Sequence, residues 1–202
     1  MKILFGVFLS YLVGSIPTGY LVGKKVRGID IRTTGSGNVG ATNVFRVIGK
    51  KWGIAVLVFD MLKGFAAANY LPFYFTGPIL SPFLTSLLFG LTAILGHTWT
   101  VWLRFKGGKG VATSAGVSFA LVPIAALFTV GVWSLLFIWK RFVSLASLGA
   151  ALSFPLWVFI FCRNEAYYRV LFGVSLWLSL FIFYTHRENI RRLLEGREKK
   201  LI

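Results

Sequence analysis

The sequence predicts an all-α integral membrane protein with seven transmembrane helices, an N-terminus outside the cell and a C-terminus in the cytoplasm. Of its 202 residues, 56% are hydrophobic and only 14% are charged, whereas soluble globular domains carry about 25% charged residues. The charged residues stand in a few clusters between long apolar runs. This pattern is typical of a polytopic membrane protein and excludes an intrinsically disordered chain. We expect residues 1–202 to form a single polytopic domain.

The net charge of +16 would by itself suggest a nucleic-acid-binding protein. Its distribution argues against one, because the basic residues are separated by apolar runs and do not form one basic face. Cys162 is the single cysteine, which excludes an intramolecular disulfide and a thiolate metal cluster. With two histidines and six acidic residues, the sequence predicts no metal site, no cofactor and no nucleic-acid partner.

Six apolar runs mark the membrane-spanning part of the chain, and a helix needs about 20 residues to cross the hydrocarbon layer. The hydrophobic residues in them are continuous rather than alternating, which favours helices over a β-barrel. The first run follows Lys2 and continues past Val13 without a small-residue cleavage site, so we interpret it as a span rather than a signal peptide. The runs are residues 3–22, 52–75, 79–103, 111–139, 142–162 and 170–185.

The run 111–139 is long enough for one tilted helix or for two short helices that turn near Pro123. The basic residues decide between these alternatives. If the run crosses twice and the loop 24–51 is cytoplasmic, 18 of the 22 Lys and Arg residues lie in the cytoplasm. A single crossing would move the six basic residues of the C-terminal tail outside. The positive-inside rule therefore favours two crossings and seven helices.

The first cytoplasmic loop is rich in Gly, Ser, Thr and Asn between Gly28 and Arg46, which suits tight turns with exposed amides. Its glycines at positions 35, 37 and 40 fit the pattern G-x-G-x-x-G. We reject dinucleotide binding because no βαβ unit surrounds the pattern. Two interpretations remain: a plain cytoplasmic turn, or an anion cradle in which Ser36 and backbone amides donate and Arg46 supplies charge.

The second cytoplasmic loop, residues 104–114, carries three glycines and the lysines Lys106 and Lys109, and leads directly into a membrane helix. A helix N-terminus presents free N–H groups and the positive end of the helix dipole. Together these features favour a phosphate site. The alternative is a basic loop that touches anionic lipid headgroups.

The third polar segment, residues 186–198, follows the last span. On a helix His186, Asn189 and Leu193 share one face, which indicates either a ligand-binding segment or an amphipathic basic tail on the membrane surface. Ser144 lies at the start of the sixth predicted helix, where it could cap the helix or contact a ligand.

Two charged residues, Asp60 and Lys63, interrupt the second run at i, i+3 spacing. Charges inside a membrane usually pair, so we expect a structural ion pair. His97, near the cytoplasmic end of the third run, could belong to the site or hydrogen bond at a helix interface, and the sequence places no obvious acid to orient it.

At these segments the sequence resembles the bacterial membrane-integral acyl-phosphate:glycerol-3-phosphate acyltransferases, the PlsY family. The motifs follow the family's order over nearly the whole chain, and their combination is specific although each one alone is weak. They are Gly14-Ser15-Ile16-Pro17-Thr18-Gly19, Gly35-Ser36-Gly37-Asn38-Val39-Gly40-Ala41-Thr42-Asn43, Asp60-x-x-Lys63-Gly64, Gly96-His97, Lys106-Gly107-Gly108-Lys109-Gly110-Val111-Ala112-Thr113 and His186-Arg187-x-Asn189-Ile190-x-Arg192-Leu193.

The resemblance implies a seven-helix enzyme of the bacterial inner membrane with its active site on the cytoplasmic face. It would transfer a fatty acyl group from acyl phosphate to glycerol 3-phosphate, giving lysophosphatidic acid and phosphate, the first acylation of phospholipid synthesis. Its partners would be these two substrates and membrane lipid; the oligomeric state stays open, with a monomer as the starting expectation. The implied catalytic residues are Ser36, Arg46, Lys106, His186 and Asn189. The implied substrate- and phosphate-binding residues are Gly37, Asn38, Gly40, Thr42, Asn43, Gly107, Gly108, Lys109, Gly110, Thr113 and Ser144.

The chemistry expected of such an enzyme needs no acyl-enzyme nucleophile, because acyl phosphate is already an activated anhydride. Positioning and electrostatic stabilisation can supply much of the rate. The proton of the acceptor hydroxyl could pass to His186 or to the oxygens of acyl phosphate, and we favour the second. A transporter of a phosphorylated metabolite would place its site near the membrane midplane, and a CDP-alcohol phosphotransferase would need an Asp-rich metal site. The residue pattern favours neither.

Overall fold

The structure is a computed structural model that describes residues 1–75 and 77–201. Within these residues the chain forms eleven α-helices and no β-strand. It divides into two compact units, Met1–Leu121 and Val122–Ile202, while the single-domain organisation expected above stays a prediction. The helices of the first unit are α1 (Lys2–Ser15), α2 (Thr18–Arg27), α3 (Ala41–Val47), α4 (Lys50–Asn69), α5 (Leu71–Phe75), α6 (Pro82–Thr98) and α7 (Val111–Leu121). Those of the second are α8 (Pro123–Lys140), α9 (Val143–Cys162), α10 (Tyr168–Thr185) and α11 (Arg187–Leu194).

The first candidate span is broken between α1 and α2. Proline lacks an N–H group and pushes the residue before it out of the α region. Ile16, with ψ of 114°, accordingly ends α1, and Pro17 precedes α2. The break exposes backbone carbonyls inside the unit. The Ser15 carbonyl accepts a hydrogen bond from Thr100 Oγ1 at 2.6 Å, which satisfies one of them.

Small residues bring the helices of the first unit into backbone contact. α1 packs on α6, and α4 packs on both α6 and α7. A methyl group at Gly14 of α1 would lie 2.1 Å from the carbonyl oxygen of Ala93, and one at Gly116 of α7 would lie 1.9 Å from that of Met61. Only glycine fits at either position, as is usual where membrane helices pack closely.

The second unit is built around α9, which packs against α8 and α10. α8 ends at Lys140, and the next residue, Arg141, has a φ of +63° that reverses the chain directly into α9. Phe128 of α8 lies 5.1 Å from Trp157 and 4.8 Å from Phe161, ring centre to ring centre, so aromatic contacts join these two helices. Ring pairs at these separations add to the packing energy of the buried surface.

The predicted division of the run 111–139 is confirmed, because α7 ends at Leu121 and α8 begins at Pro123. Among the residues that the structure describes, six helical segments are long and apolar enough to cross a membrane: Lys2–Arg27, Lys50–Phe75, Pro82–Leu103, Pro123–Lys140, Val143–Cys162 and Tyr168–Thr185. α7 is the shorter apolar segment, with 11 residues. At 1.5 Å per residue it is about 16 Å long, roughly half the hydrocarbon thickness. The seventh crossing and the orientation of the termini therefore stay predictions.

Candidate active site

The loop between α2 and α3, residues 28–40 (the glycine loop), is organised by one buried amide. Asn43 Oδ1 accepts from the Ser36 amide at 2.9 Å. Asn43 Nδ2 donates to the carbonyls of Ile31, Thr34 and Asn38 at 3.1, 3.0 and 2.9 Å. An amide has two N–H donors, so three acceptors leave none for a phosphate. Asn43 therefore shapes the loop, and its implied contact with substrate stays a prediction.

The other implied residues of this segment lie around that amide. Ser36 is exposed at the tip of the glycine loop, and Asn38 Oδ1 accepts from the Gly40 amide at 2.8 Å. Gly37 has a φ of +72°, a conformation that suits glycine. Thr42 and Arg46 are half-buried on α3, one turn apart. The implied residues of this segment therefore lie on the glycine loop and on the adjoining helix α3.

Asp30 begins the 3₁₀ turn Ile31–Thr33 within the glycine loop. The Arg32 guanidinium donates to the Asp30 carboxylate at 2.7–3.2 Å, and the Arg32 backbone amide donates to it as well. These hydrogen bonds, the side-chain ones most strongly, lower the pKa of Asp30 to about 2. A carboxylate with this pKa is ionised at neutral pH and is a poor general base. Asp30 is therefore excluded as the group that deprotonates a substrate hydroxyl.

The loop that joins α6 to α7, residues 104–110 (the lysine loop), is built on the end of α6. The Gly107 amide donates to the Thr98 carbonyl, and the Gly108 amide donates to the His97 carbonyl, each at 3.0 Å. A methyl group at either glycine would lie 2.1 Å from an atom of His97. These two glycines therefore pack against the end of α6, and their implied contact with a phosphate stays a prediction.

Two lysines stand on either side of those glycines, and three buried hydroxyls lie at the ends of the helices that the loop joins. Lys106 is exposed and Lys109 is half-buried. The hydroxyls of Thr98, Thr113 and Ser114 are buried without a hydrogen-bond partner among the described residues. Buried polar atoms usually have partners, so each of these hydroxyls, at the end of α6 or the start of α7, is suited to a polar ligand. Thr113 was expected there, whereas Thr98 and Ser114 were missed by sequence reasoning.

Beneath both loops lies a buried polar centre made of Thr18, Asp60, Lys63 and His97. Lys63 Nζ is 2.8 Å from Asp60 Oδ1 and donates to the Ile16 carbonyl at 2.9 Å. Thr18 Oγ1 donates to the same carboxylate oxygen, which ties α2 to α4. The expected Asp60–Lys63 ion pair is thus present, and it also satisfies a carbonyl freed by the break between α1 and α2.

His97 belongs to the same centre, with Nδ1 at 3.7 Å from Asp60 Oδ1. Asp60 is therefore an acid beside this histidine that the sequence did not make obvious. The partner comes from a different helix, 37 positions earlier in the printed sequence, so no local spacing could reveal it. A small pocket beside the centre is also lined by Val39 of the glycine loop and Thr100. The polar centre therefore borders the segments that carry both loops.

In the second unit His186 lies between α10 and α11 and is 3% exposed. Its Nδ1 lies 2.8 Å from the Ile182 carbonyl. A carbonyl only accepts, so Nδ1 carries the proton and Nε2 is the acceptor of the neutral ring. This tautomer is compatible with the implied catalytic role of His186, which stays a prediction.

Glu198, in the segment after α11, gathers Ser144, Asn189 and Arg192. Ser144 Oγ and Asn189 Nδ2 donate to Glu198 Oε1 at 2.8 and 2.6 Å, and Arg192 Nε donates to Oε2 at 2.7 Å. Ser144 therefore does not cap α9. Sequence reasoning missed Glu198, since nothing in the pattern of the basic tail distinguishes it from Glu188 and Glu195. The structure thus brings together Asn189 and Ser144, two implied site residues from different helices.

Glu198 leads to a pH prediction. Burial alone would raise the pKa of Glu198, but hydrogen bonds from Arg192, Asn189 and Ser144 outweigh it and lower this pKa below its ordinary 4.5. A lowered pKa contributes stability above about pH 4.5, and that stability is lost as the pH falls through the folded-state pKa. We expect Glu198→Gln to lower the Tm in detergent at pH 7, with a smaller difference from the parent chain at pH 4.

Glu195→Gln, which alters an exposed pair with Arg191, is the control and should change little at either pH. A Glu198→Gln deficit independent of pH would contradict this account.

No three His, Cys, Asp or Glu side chains within residues 1–75 and 77–201 are grouped so that they could hold a metal ion. The polar centre offers Asp60 and His97, but its third charged member is the cation Lys63. The polar groups described above are instead hydroxyls, amides and cations, which suit an anionic substrate.

The family model for glycerol-3-phosphate acyltransferase matches residues 4–196. The chain belongs to the glycerol-3-phosphate acyltransferase family. Among relatives in this family, the Aquifex aeolicus glycerol-3-phosphate acyltransferase is 48% identical, over 99% of this chain and 100% of that protein. The Desulforudis audaxviator relative is 46% identical, over 99% and 96% respectively. The predicted resemblance is confirmed.

Two solved structures support the same assignment. The crystal structure of PlsY, an integral membrane glycerol 3-phosphate acyltransferase, in its glycerol 3-phosphate form matches with a TM-score of 0.86 and 44% identity, over 99% of this chain and 96% of that one. The lysophosphatidic acid form matches with a TM-score of 0.84 at the same identity, over 99% of this chain and 95% of that one. The chain is therefore an integral membrane acyltransferase, and the transporter and phosphotransferase alternatives are set aside.

Proposed function

We propose that the chain transfers a fatty acyl group from acyl phosphate to glycerol 3-phosphate, releasing lysophosphatidic acid and inorganic phosphate. The observation that carries this proposal is the pair of cation-bearing segments in the first unit. Arg46 follows the glycine loop, and Lys106 and Lys109 stand on the lysine loop. Two phosphate-bearing substrates repel each other, and separate cations can neutralise both. This reaction would be the first acylation of phospholipid synthesis.

The proposed reaction is a single displacement. The acceptor hydroxyl oxygen attacks the acyl carbonyl carbon, the bond from that carbon to the phosphate oxygen breaks, and phosphate leaves with the electron pair. The hydroxyl proton passes to an oxygen of the departing phosphate, so no protein nucleophile is acylated. Fixed cations and donors beside the developing negative charge lower the barrier, and correct placement of the two substrates supplies much of the remainder.

The structure suggests a division of roles among the implied residues. We assign contact with substrate or its phosphates to Ser36, Arg46, Lys106, Lys109 and Thr113, and binding of the acceptor to His186 and Asn189. Asn43, Gly107 and Gly108 hold the loops in place, because their hydrogen bonds and close contacts are made with the chain itself. The implied contacts of Gly37, Asn38, Gly40, Thr42, Gly110 and Ser144 stay proposals.

The single displacement is tested by incubating purified protein with acyl phosphate labelled in its acyl group, without glycerol 3-phosphate. We expect no covalently labelled protein. A stoichiometric acyl-enzyme would overturn the single displacement. His186→Gln should retain measurable turnover, because a side-chain amide can replace a hydrogen bond of the ring. Complete loss of turnover with glycerol 3-phosphate binding intact would make His186 the base.

We also propose that the protein lies in the bacterial inner membrane with both loops in the cytoplasm and that it crosses seven times. A reporter active only outside the cytoplasm should work when fused after Asn164 and fail when fused after Lys109 or Lys199. The reason is that this orientation places 18 of 22 basic residues inside. An active reporter at Lys199 would refute the seven-span topology.

A further inference from the structure

We propose that His97, which lies beside Asp60, is a positioning residue that sets the place of the lysine loop for phosphate binding. This inference rests on the proposed contact of Lys106 with a substrate phosphate. The proposed reaction assigns His97 and Asp60 no role, yet both are buried beneath the loop that carries Lys106. The geometry links them to that loop through Gly108.

His97 contacts Gly108 with both its backbone and its side chain. The His97 carbonyl accepts the Gly108 amide at 3.0 Å. A methyl group at Gly108 would lie 2.1 Å from Nε2 and 2.8 Å from Cε1 of the imidazole. The ring edge therefore lies against the Gly108 backbone, and the loop can approach it only because residue 108 has no side chain.

The ring is in turn fixed from the opposite side. Its Nδ1 faces Asp60 Oδ1 at 3.7 Å. That oxygen is itself held by Thr18 Oγ1 and by Lys63 Nζ. The imidazole thus lies between the Gly108 backbone and a carboxylate of α4 that Thr18 and Lys63 hold in place. A ring enclosed in this way offers the rigid support that accurate placement of a binding group requires.

The lysine loop needs such support because its backbone is strained. Arg104 and Phe105 have φ values of +54° and +59°, in the left-handed region that side chains disfavour. Strained residues persist when their surroundings over-determine them. Here the Phe105 amide bonds the Thr100 carbonyl at 2.9 Å, and the two glycine amides bond Thr98 and His97. Lys106 lies between these anchors, so its placement depends on both.

The same geometry argues against His97 as a general base. A base must come within about 3 Å of the proton it takes, or reach it through one water. The Nε2 edge of the ring lies against Gly108, while Nδ1 faces Asp60, and the residue is 7% exposed. His97 therefore acts through the loop rather than on substrate.

The test measures steady-state kinetics and Tm of the purified full-length protein in detergent, for variants at two positions. In His97→Asn the side-chain amide takes the place of Nδ1 and can donate to Asp60. The substitution removes the edge of the ring that lies beside Gly108. We expect it to raise the KM for one of the two phosphate substrates about tenfold, the scale of one charge-assisted hydrogen bond. The other KM and the Tm should stay close to those of the parent chain.

A double variant tests the contact itself. Gly108→Ala alone should lower kcat/KM, because its methyl group meets the ring. His97→Asn/Gly108→Ala should be more active than Gly108→Ala alone, because the methyl group then enters the space that the ring vacates. The matched control is Gly107→Ala, whose methyl group would lie 2.1 Å from the His97 carbonyl oxygen. A backbone clash of this kind should not be relieved by His97→Asn.

Unchanged KM values in His97→Asn would overturn the proposal. A parallel rise of both KM values together with a fall in Tm would also overturn it, because that result indicates general destabilisation. So would a double variant in which the effects of the two substitutions on kcat/KM are simply additive. Lys106→Ala, measured alongside, separates the positioning role of His97 from the proposed phosphate contact of Lys106. A defect in Lys106→Ala with normal His97→Asn kinetics removes only the positioning role. Normal kinetics in Lys106→Ala would remove the proposed phosphate contact, and with it the purpose assigned to His97.

Discussion

Replacing Lys106 by alanine is expected to lower kcat/KM for the acyl transfer by about 30-fold or more, equivalent to about 2 kcal/mol of transition-state stabilisation. Arg46→Ala should have an effect of similar size. Each residue supplies a positive charge for a phosphate group, and such a charge stabilises the negative charge that develops in the transition state. Steady-state assays of the purified variants in detergent would measure the effect.

Lys25→Ala is the matched control for these variants. Lys25 is an exposed lysine in the last turn of α2, so its removal changes the net charge equally without touching either loop. It should leave kcat/KM close to that of the parent chain. The Tm of Lys106→Ala should also be unchanged, because the Lys106 side chain is exposed. Near-normal kinetics for both Lys106→Ala and Arg46→Ala would remove these residues from the site.

Asp60→Ala is expected to cause the largest loss of stability, about 3–5 kcal/mol, because it leaves the Lys63 ammonium buried without its counter-ion. The Lys63 side chain is only 7% exposed and lies 2.8 Å from the carboxylate that would be removed. For a chain of this length the loss corresponds to a fall in Tm of about 10 °C. Thermal unfolding in detergent, followed by tryptophan fluorescence, would measure it.

The double variant Asp60→Leu/Lys63→Met distinguishes an uncompensated charge from lost packing. Replacing both members of a buried pair by apolar residues is often neutral for stability, so the double variant should recover most of the lost Tm. Asp30→Ala is the control, since it removes one member of an ion pair whose Arg32 side chain is 36% exposed and should cost little. A double variant as unstable as Asp60→Ala would show that the ion pair is not the origin of the loss.

The parts of the fold that local patterns determine could be predicted. Apolar runs marked the spans, Pro123 marked the boundary between α7 and α8, and the i, i+3 spacing of Asp60 and Lys63 indicated their pairing. Each of these features depends on residues close together in sequence. A membrane crossing by α7 does not follow from its length, because 11 residues are fewer than the usual span needs.

The candidate site shows where such reasoning stops. A run of glycines and lysines favours a phosphate cradle, but a sequence does not tell close approach to a ligand from close approach to the chain's own backbone. Gly107 and Gly108 turned out to pack on α6. Asn43, read as a ligand contact, holds its own loop together.

The contacts of His97 with Asp60 and of Glu198 with Ser144 join residues far apart in sequence. Neither pair forms a pattern that can be read locally. Both became visible only when helices from different parts of the chain were placed side by side.

The most direct test of the proposed reaction is the stoichiometry of products from purified protein in detergent, supplied with acyl phosphate and glycerol 3-phosphate. We predict equal amounts of inorganic phosphate and lysophosphatidic acid, with little product of either kind when glycerol 3-phosphate is omitted, and greatly reduced amounts of both from Lys106→Ala. Formation of lysophosphatidic acid from an acyl thioester, with none from acyl phosphate, would contradict the proposed donor.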